Sequence, residues 1–194
     1  MTRLLLVGPP GAGKGTQAAI LSDTLGIPAI STGDIFRTNV ANETPLGIKV
    51  KAIMAKGEYV PDDLTNEIVA HRLSEPDAAE GFLLDGYPRT IEQVNELDRS
   101  LGKDGHALDV VVLLEADIED VVARLMKRAI EQGRVDDTEE IIRHRMSVYT
   151  EQTAPLIKLF DERNLVVRVD ALGAVDNVTD RIVSALAGRG LASA

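Results

Sequence analysis

Residues 4–16 read LLLVGPPGAGKGT, a four-residue apolar run that enters a glycine-rich turn and leaves it on Lys14. A turn that follows a strand and opens a helix presents several backbone N–H groups without intrahelical partners, and the helix dipole adds partial positive charge there. Phosphate oxygens are the matching ligand. Gly8, Gly11 and Gly13 allow backbone conformations and a close approach that side chains would block, and the spacing from Gly8 to Lys14 lets the lysine reach β- and γ-phosphates. The alternative is a tight strand–helix turn with no ligand, against which the flanking strand and helix both weigh. In the usual pattern Ser or Thr follows the lysine and its hydroxyl enters a Mg²⁺ shell. Here Gly15 follows it, and Thr16 comes one residue later, about 100° further round the helix. A bound Mg²⁺ is therefore expected to rest mainly on phosphate oxygens and water, with Asp85, at the end of the apolar run 82–85, positioned to orient that water.

The rest of the chain limits what such a loop can serve. At 194 residues it fits one α/β domain with small insertions. It has no cysteine, which excludes a disulfide framework and a thiolate metal site. Residues 1–8, MTRLLLVG, lack the long apolar core of a signal peptide, and the longest apolar runs, such as 110–114, fall far below the roughly 18 residues that span a bilayer. A cytoplasmic protein without a membrane segment is expected. The net charge of −10 argues against nonspecific nucleic-acid binding. Against that acidic background Arg124, Arg128, Arg134, Arg143 and Arg145 fall within one short stretch, and an arginine-rich helix is ordinarily a solvated face with i,i+4 ion pairs. In a chain that also carries a phosphate loop, the balance shifts toward phosphate binding. His71, His106 and His144 are scattered and read as surface residues.

Short apolar runs at 4–7, 29–31, 82–85, 109–115 and 165–170 read as strands of a mostly parallel sheet. Helical periodicity covers 15–25, 34–40, 46–56, 62–74, 90–101, 118–132, 138–161 and 175–186, with Pro155 expected to kink or break the long 138–161 segment. Asp62 and Asp137 are expected N-caps, Asp137 pairing with Glu140 in a variant of the capping box. Residues 31–60 and 128–138 interrupt the strand–helix alternation and read as two flaps on a single domain spanning 1–194.

Four ordered motifs now stand together: GPPGAGKGTQ at 8–17, STGDIFR at 31–37, DGYPR at 85–89 and GRVDD at 133–137. Together they resemble the nucleoside monophosphate kinases, most closely the adenylate kinase family, over nearly the whole chain. That family carries Gly-Lys-Gly-Thr in its loop, so Gly15 agrees with it. The resemblance implies an α/β P-loop fold with a five-stranded parallel sheet flanked by helices, a helical monophosphate-binding flap at 31–60 and a short lid at 128–138. The inserted β domain and zinc of long-lid members are not expected. It further implies transfer of the γ-phosphoryl of Mg²⁺·ATP to AMP, giving two ADP, by a monomer with ATP and AMP as its partners.

Carried over by residue, the ATP site would comprise Gly11, Ala12, Gly13, Lys14, Gly15 and Thr16 with Arg124, Arg128 and Gly173. The AMP site would comprise Thr32, Arg37, Val60, Gly86, Arg89, Gln93, Arg134 and Arg145. Lys14, Arg89, Arg124, Arg128, Arg134 and Arg145 would carry catalysis, and Asp85 would meet the metal through water. Guanidinium forks suit this, since they grip phosphate bidentately and stay charged in a dry cleft. Thr32 and Gln93 would face the acceptor base and favour AMP. No Asp or His is placed to deprotonate a hydroxyl, and none is needed when the acceptor is a phosphate whose second pKa is about 6. The competing readings are a UMP/CMP kinase with the same fold, a small-molecule kinase, which would normally keep Ser or Thr after the lysine, and a nucleotide switch, which would not need Arg37 and Arg89.

Overall fold

The computed structural model describes residues 2–132 and 138–191, excepting the side chains of Ile118, Arg128 and Gln132. Five parallel strands, β1 (Arg3–Val7), β2 (Ala29–Ser31), β3 (Phe82–Asp85), β4 (Val110–Glu115) and β5 (Val166–Asp170), form one sheet in the order β2-β3-β1-β4-β5. β1 and β4 are buried along nearly their full length because helices cover both faces of the sheet, which is why they read as unbroken apolar runs. Alternate residues of β1 feed separate cores. Leu5 and Val7 pack with Leu84, Val111 and Phe160 on one face, and Leu4 and Leu6 pack with Leu83, Val112 and Ile182 on the other.

The helices α1 (Lys14–Leu25), α2 (Thr32–Ala41), α3 (Pro45–Ala55), α4 (Asp62–Leu73), α5 (Ile91–Lys103), α6 (Ile118–Gln132), α7 (Glu139–Val148), α8 (Ala154–Glu162) and α9 (Val175–Ala187) complete the fold among the described residues. The chain leaves β1 toward β2 and β3 on one side and returns to place β4 and β5 on the other, so the strand order reverses at β1. A crevice opens beyond the carboxyl ends of parallel strands at such a reversal, and the glycine-rich loop lies there. None of the helices among the described residues is long and apolar enough to cross a membrane.

The segment 138–161 is broken as expected, by a π-helical turn at Tyr149–Thr153. Pro155 follows that turn without a gap in the helix, and its ring and missing N–H act on the residue four back, Glu151, inside it. Several other local expectations are corrected. α2 begins two residues earlier than expected, because the Ser31 side chain accepts from the Asp34 N–H and caps it directly off β2. Asp62 is no N-cap: Pro61 holds that position, and the Asp62 carboxylate bonds α5 instead. The cap of α7 is Thr138, whose hydroxyl accepts from the Ile141 N–H. The expected cap Asp137, and the 133–137 part of the expected lid with Arg134, lie outside the described residues. A short 3₁₀ turn at Pro76–Ala78 was not expected. Residues 31–60 carry α2 and α3 over a small core of their own, with Phe36, Val50 and Val60 buried together.

Candidate functional site

A cleft of about 730 Å³ runs along the carboxyl edge of the sheet, lined at one end by the glycine-rich loop and at the other by α2 and the loops after α3 and β3. Gly11 and Gly13 take φ of 83° and 90°, and a Cβ on Gly11 would stand 2.7 Å from Leu125 Cγ. Only glycine fits that turn. No side chain caps α1 at Gly13, and the first turn of a helix is where backbone amides can meet an anion. The Lys14 ammonium donates to the carbonyl oxygens of Gly8 at 2.8 Å and Pro9 at 2.9 Å, which holds it over the same loop. Ala12 is buried beneath the turn, while Gly15 and Thr16 are exposed at the start of α1. Asp85 ends β3 with its carboxylate toward Gly15: a Cβ built on that glycine would meet only Asp85 Oδ2, at 4.0 Å.

At the other end the backbone of residues 85–89 is the organising element. Gly86 has φ of 79°, and a Cβ there would approach Arg89 Nη2 to 2.7 Å and Thr32 Oγ1 to 2.9 Å. Its carbonyl accepts from the Thr32 hydroxyl at 2.9 Å and from Arg89 Nε at 2.7 Å. The Arg89 guanidinium lies 4.7 Å over the Tyr59 ring, which leaves its terminal nitrogens directed by a stacked face. Arg37 lines the same end and is held by Asp34 at 2.6 Å. Val60 is buried there, and Gln93 is 2 % exposed, not the solvated helix residue that its neighbours Ile91 and Glu92 would suggest.

Arg124, Arg145 and Gly173 complete the lining of the cleft. Arg124 donates to the Ala171 carbonyl at 3.0 Å, and Gly173 turns with φ of 106° in the loop after β5. Arg128 belongs to α6, but its side chain is outside the described residues, as is Arg134 altogether. Arg143 does not join the cluster and pairs with Glu139 on the surface. The structure thus brings five cationic side chains, Lys14, Arg37, Arg89, Arg124 and Arg145, to one cleft of an acidic protein. No histidine lines it among the described residues. Nor do those residues contain a group of three or more His, Asp or Glu able to cage a metal. The donor set present, one carboxylate facing a side-chain-free helix start, fits a Mg²⁺ that keeps water and takes most of its oxygens from phosphate.

Several cleft residues had no reading in the sequence. Tyr59 donates to Thr153 Oγ1 at 2.9 Å, because the Thr153 proton is used on the Arg89 carbonyl at 3.0 Å. Thr153 reaches Arg89 from the π-helical turn; Pro155 signals a break there, but no local pattern says which side chain it turns toward Arg89. Tyr149, on the same turn, has its phenol pushed up to about 12 by burial, so it stays a neutral hydroxyl at physiological pH. Tyr87 is buried below the cleft, its phenol raised well above the tyrosine range by desolvation, and it donates to Asn66 Oδ1 at 2.7 Å. Gln93, which the family resemblance assigned to the acceptor base, also stands at a capping-box spacing from Thr90. Thr90 does cap α5, but the Gln93 amide reaches one residue further back, to the Arg89 N–H at 2.7 Å.

A family model described as adenylate kinase matches residues 6–165. A protein named adenylate kinase from Kocuria rhizophila is 59% identical over 186 residues, covering 96% of this chain and 99% of its own length. Another of that name from Leifsonia xyli subsp. xyli is 62% identical over 188 residues, covering 97% of this chain and 94% of its own. A third, from a Nocardioides species, is 57% identical over 184 residues, 95% of this chain and 96% of its own.

Proposed function

The chain belongs to the adenylate kinase family, and on that premise we propose that it passes the γ-phosphoryl of ATP to AMP reversibly, giving two ADP, and so balances the adenine nucleotides. The single observation that carries this is a phosphate loop and a second cationic group, Arg37 with Arg89, facing one cleft beside a buried amide, Gln93. A nucleotide switch needs the first and has no use for the second.

Lys14 and the first amides of α1 would hold the β- and γ-phosphates of ATP, and Arg37 and Arg89 the phosphate of AMP. Arg124 and Arg145, with Arg128 and Arg134, would surround the group in transit. Their fixed positive charge offsets the repulsion between two polyanions and needs no reorganisation as the phosphoryl moves in line. The acceptor oxygen is already ionised, so no residue has to take a proton. Water is the competing acceptor, and we assign its exclusion to residues 31–60 as a flap and 128–138 as a lid. Mg²⁺, entering with ATP, would neutralise phosphate charge, with Asp85 holding it through water. A cytoplasmic monomer is the working form.

The test is a coupled assay offering AMP, UMP, CMP and GMP with Mg²⁺·ATP. AMP is expected to exceed the others by orders of magnitude, and UMP outperforming AMP would replace this reading with a pyrimidine monophosphate kinase. Two adenosines joined by a polyphosphate are expected to bind far more tightly than ATP. Equal binding would leave only one nucleotide site.

A further inference from the structure

The Gln93 amide is held from both sides. Its Oε1 accepts from the Arg89 N–H at 2.7 Å, and its Nε2 donates to Asp62 Oδ1 at 2.6 Å. Neither neighbour can change role: a backbone N–H only donates and a carboxylate only accepts. The Asp62 carboxylate is itself fixed, because its other oxygen takes the Thr90 hydroxyl at 2.9 Å. Rotating the amide by 180° would set two donors against each other at Arg89 and two acceptors against each other at Asp62. The left-over capacity is one lone pair on Oε1 and one hydrogen on Nε2, both in a cleft where Gln93 is 2 % exposed.

We infer that Asp62 is a specificity-determining positioning residue that locks the polarity of the Gln93 amide, so that the acceptor site takes a 6-amino purine and rejects a 6-oxo purine. This rests on the proposed function, in which Gln93 faces the acceptor base. An adenine edge carries a donor at N6 and an acceptor at N1, which match the spare Oε1 and Nε2. Hypoxanthine differs at this edge alone, presenting an acceptor at O6 and a donor at N1, and it can be met only by the rotated amide. A site built around fixed hydrogen-bonding groups rejects the mismatched ligand because polar atoms are left buried and unpaired. Asp62 touches no base in this scheme. It acts through Gln93.

The full chain and its Asp62→Asn and Gln93→Leu variants are assayed for kcat/KM with AMP and with IMP as acceptors. An asparagine can turn its own amide to donate to a rotated Gln93, which removes the opposition at position 62 and leaves the one at the Arg89 N–H, so Asp62→Asn is expected to lower the AMP:IMP preference about tenfold, chiefly by raising IMP use, without abolishing it. Gln93→Leu is expected to abolish most of the preference. The ratio is internal to each protein, so a merely structural role for Asp62, which lowers both activities together, leaves it unmoved. Asp62→Ser, whose hydroxyl can donate or accept, gives the same test should the asparagine variant not fold. An unchanged AMP:IMP ratio in the Asp62 variant, with AMP still the preferred acceptor of the parent, overturns the role of Asp62 and leaves the proposed function standing. Failure of the parent to use AMP overturns both.

Discussion

The guanidinium of Arg89 lies 4.7 Å from the centre of the Tyr59 ring, and the Tyr59 hydroxyl donates to Thr153 Oγ1, which in turn donates to the Arg89 carbonyl. Two elements distant in sequence, the loop after α3 and the π-helical turn, thereby converge on one arginine. Tyr59→Leu removes both the stacking face and the hydroxyl, and a partly desolvated cation–π contact contributes roughly 0.5–2 kcal/mol. The expected outcome is a KM for AMP raised about threefold to tenfold with ATP binding unaffected. Tyr59→Phe keeps the ring and is expected to lose less. Steady-state kinetics with each nucleotide varied in turn would show it, and a rise confined to the ATP KM would contradict this placement.

Thr153 is 4 % exposed and bonds on both sides. Thr153→Val keeps the shape but leaves the Arg89 carbonyl without its donor and Tyr59 without its acceptor. Stability should fall by about 1–3 kcal/mol, the cost of leaving buried polar groups unpaired. Denaturant unfolding at neutral pH measures it, and parental stability would mean that other groups or water satisfy those atoms.

Lys14 contacts the Gly8 and Pro9 carbonyls at the cleft surface and contributes nothing to either sheet core. Lys14→Met is therefore expected to fold normally and to lose turnover by orders of magnitude, since the missing charge is the one that meets the transferred phosphate. Circular dichroism and kcat, taken together, decide this. Near-normal turnover would remove Lys14 from the mechanism.

A Cβ at position 15 would meet only Asp85 Oδ2, at 4.0 Å, so Gly15→Thr is not expected to strain the backbone. Replacing a glycine in the first turn of a helix is also neutral or mildly favourable to folding. Activity is expected to fall nonetheless, because the new side chain enters the space between the phosphates and the water shell at Asp85. A parental melting temperature with lowered kcat is the predicted pair of results. Tighter Mg²⁺·ATP binding and faster turnover would show that the missing hydroxyl is a lost ligand.

Burial raises the Tyr149 phenol to about 12 in the folded chain, against about 10 for an unfolded tyrosine. The folded state therefore holds the proton more tightly, and the associated stability is complete below pH 10. It is lost as pH rises from about 10 through 12, where the unfolded chain ionises first. Tyr149→Phe should flatten that part of the stability–pH curve, as measured by denaturant unfolding at a series of alkaline pH values. A curve of unchanged slope would mean that Tyr149 is already solvated.

Much of the fold was legible because its physics is local. The five strands are short apolar runs bounded by Gly, Pro or Asp, and β2 and β3 occupy the expected residues. The break after α7 is legible in Pro155, whose ring and missing N–H act on Glu151 four residues back, inside the π turn at Tyr149–Thr153. Asp62 looked like a cap because an acid before a helix usually is one. Its carboxylate instead found Thr90 and Gln93, which lie about 30 residues away on α5 and cannot be paired with it by spacing.

The sequence alone determined the phosphate loop, the parallel α/β class and the family, since each depends on ordered residue types that any member must present in the same succession. The tertiary structure decided which side chains share the cleft and in what orientation. Arg89 takes its direction from Tyr59, Thr153 and the Gly86 carbonyl, and Gln93 takes its polarity from Asp62 and the Arg89 N–H. These are long-range hydrogen bonds and stacking contacts, set by how helices and loops pack across the sheet, and no local pattern encodes them.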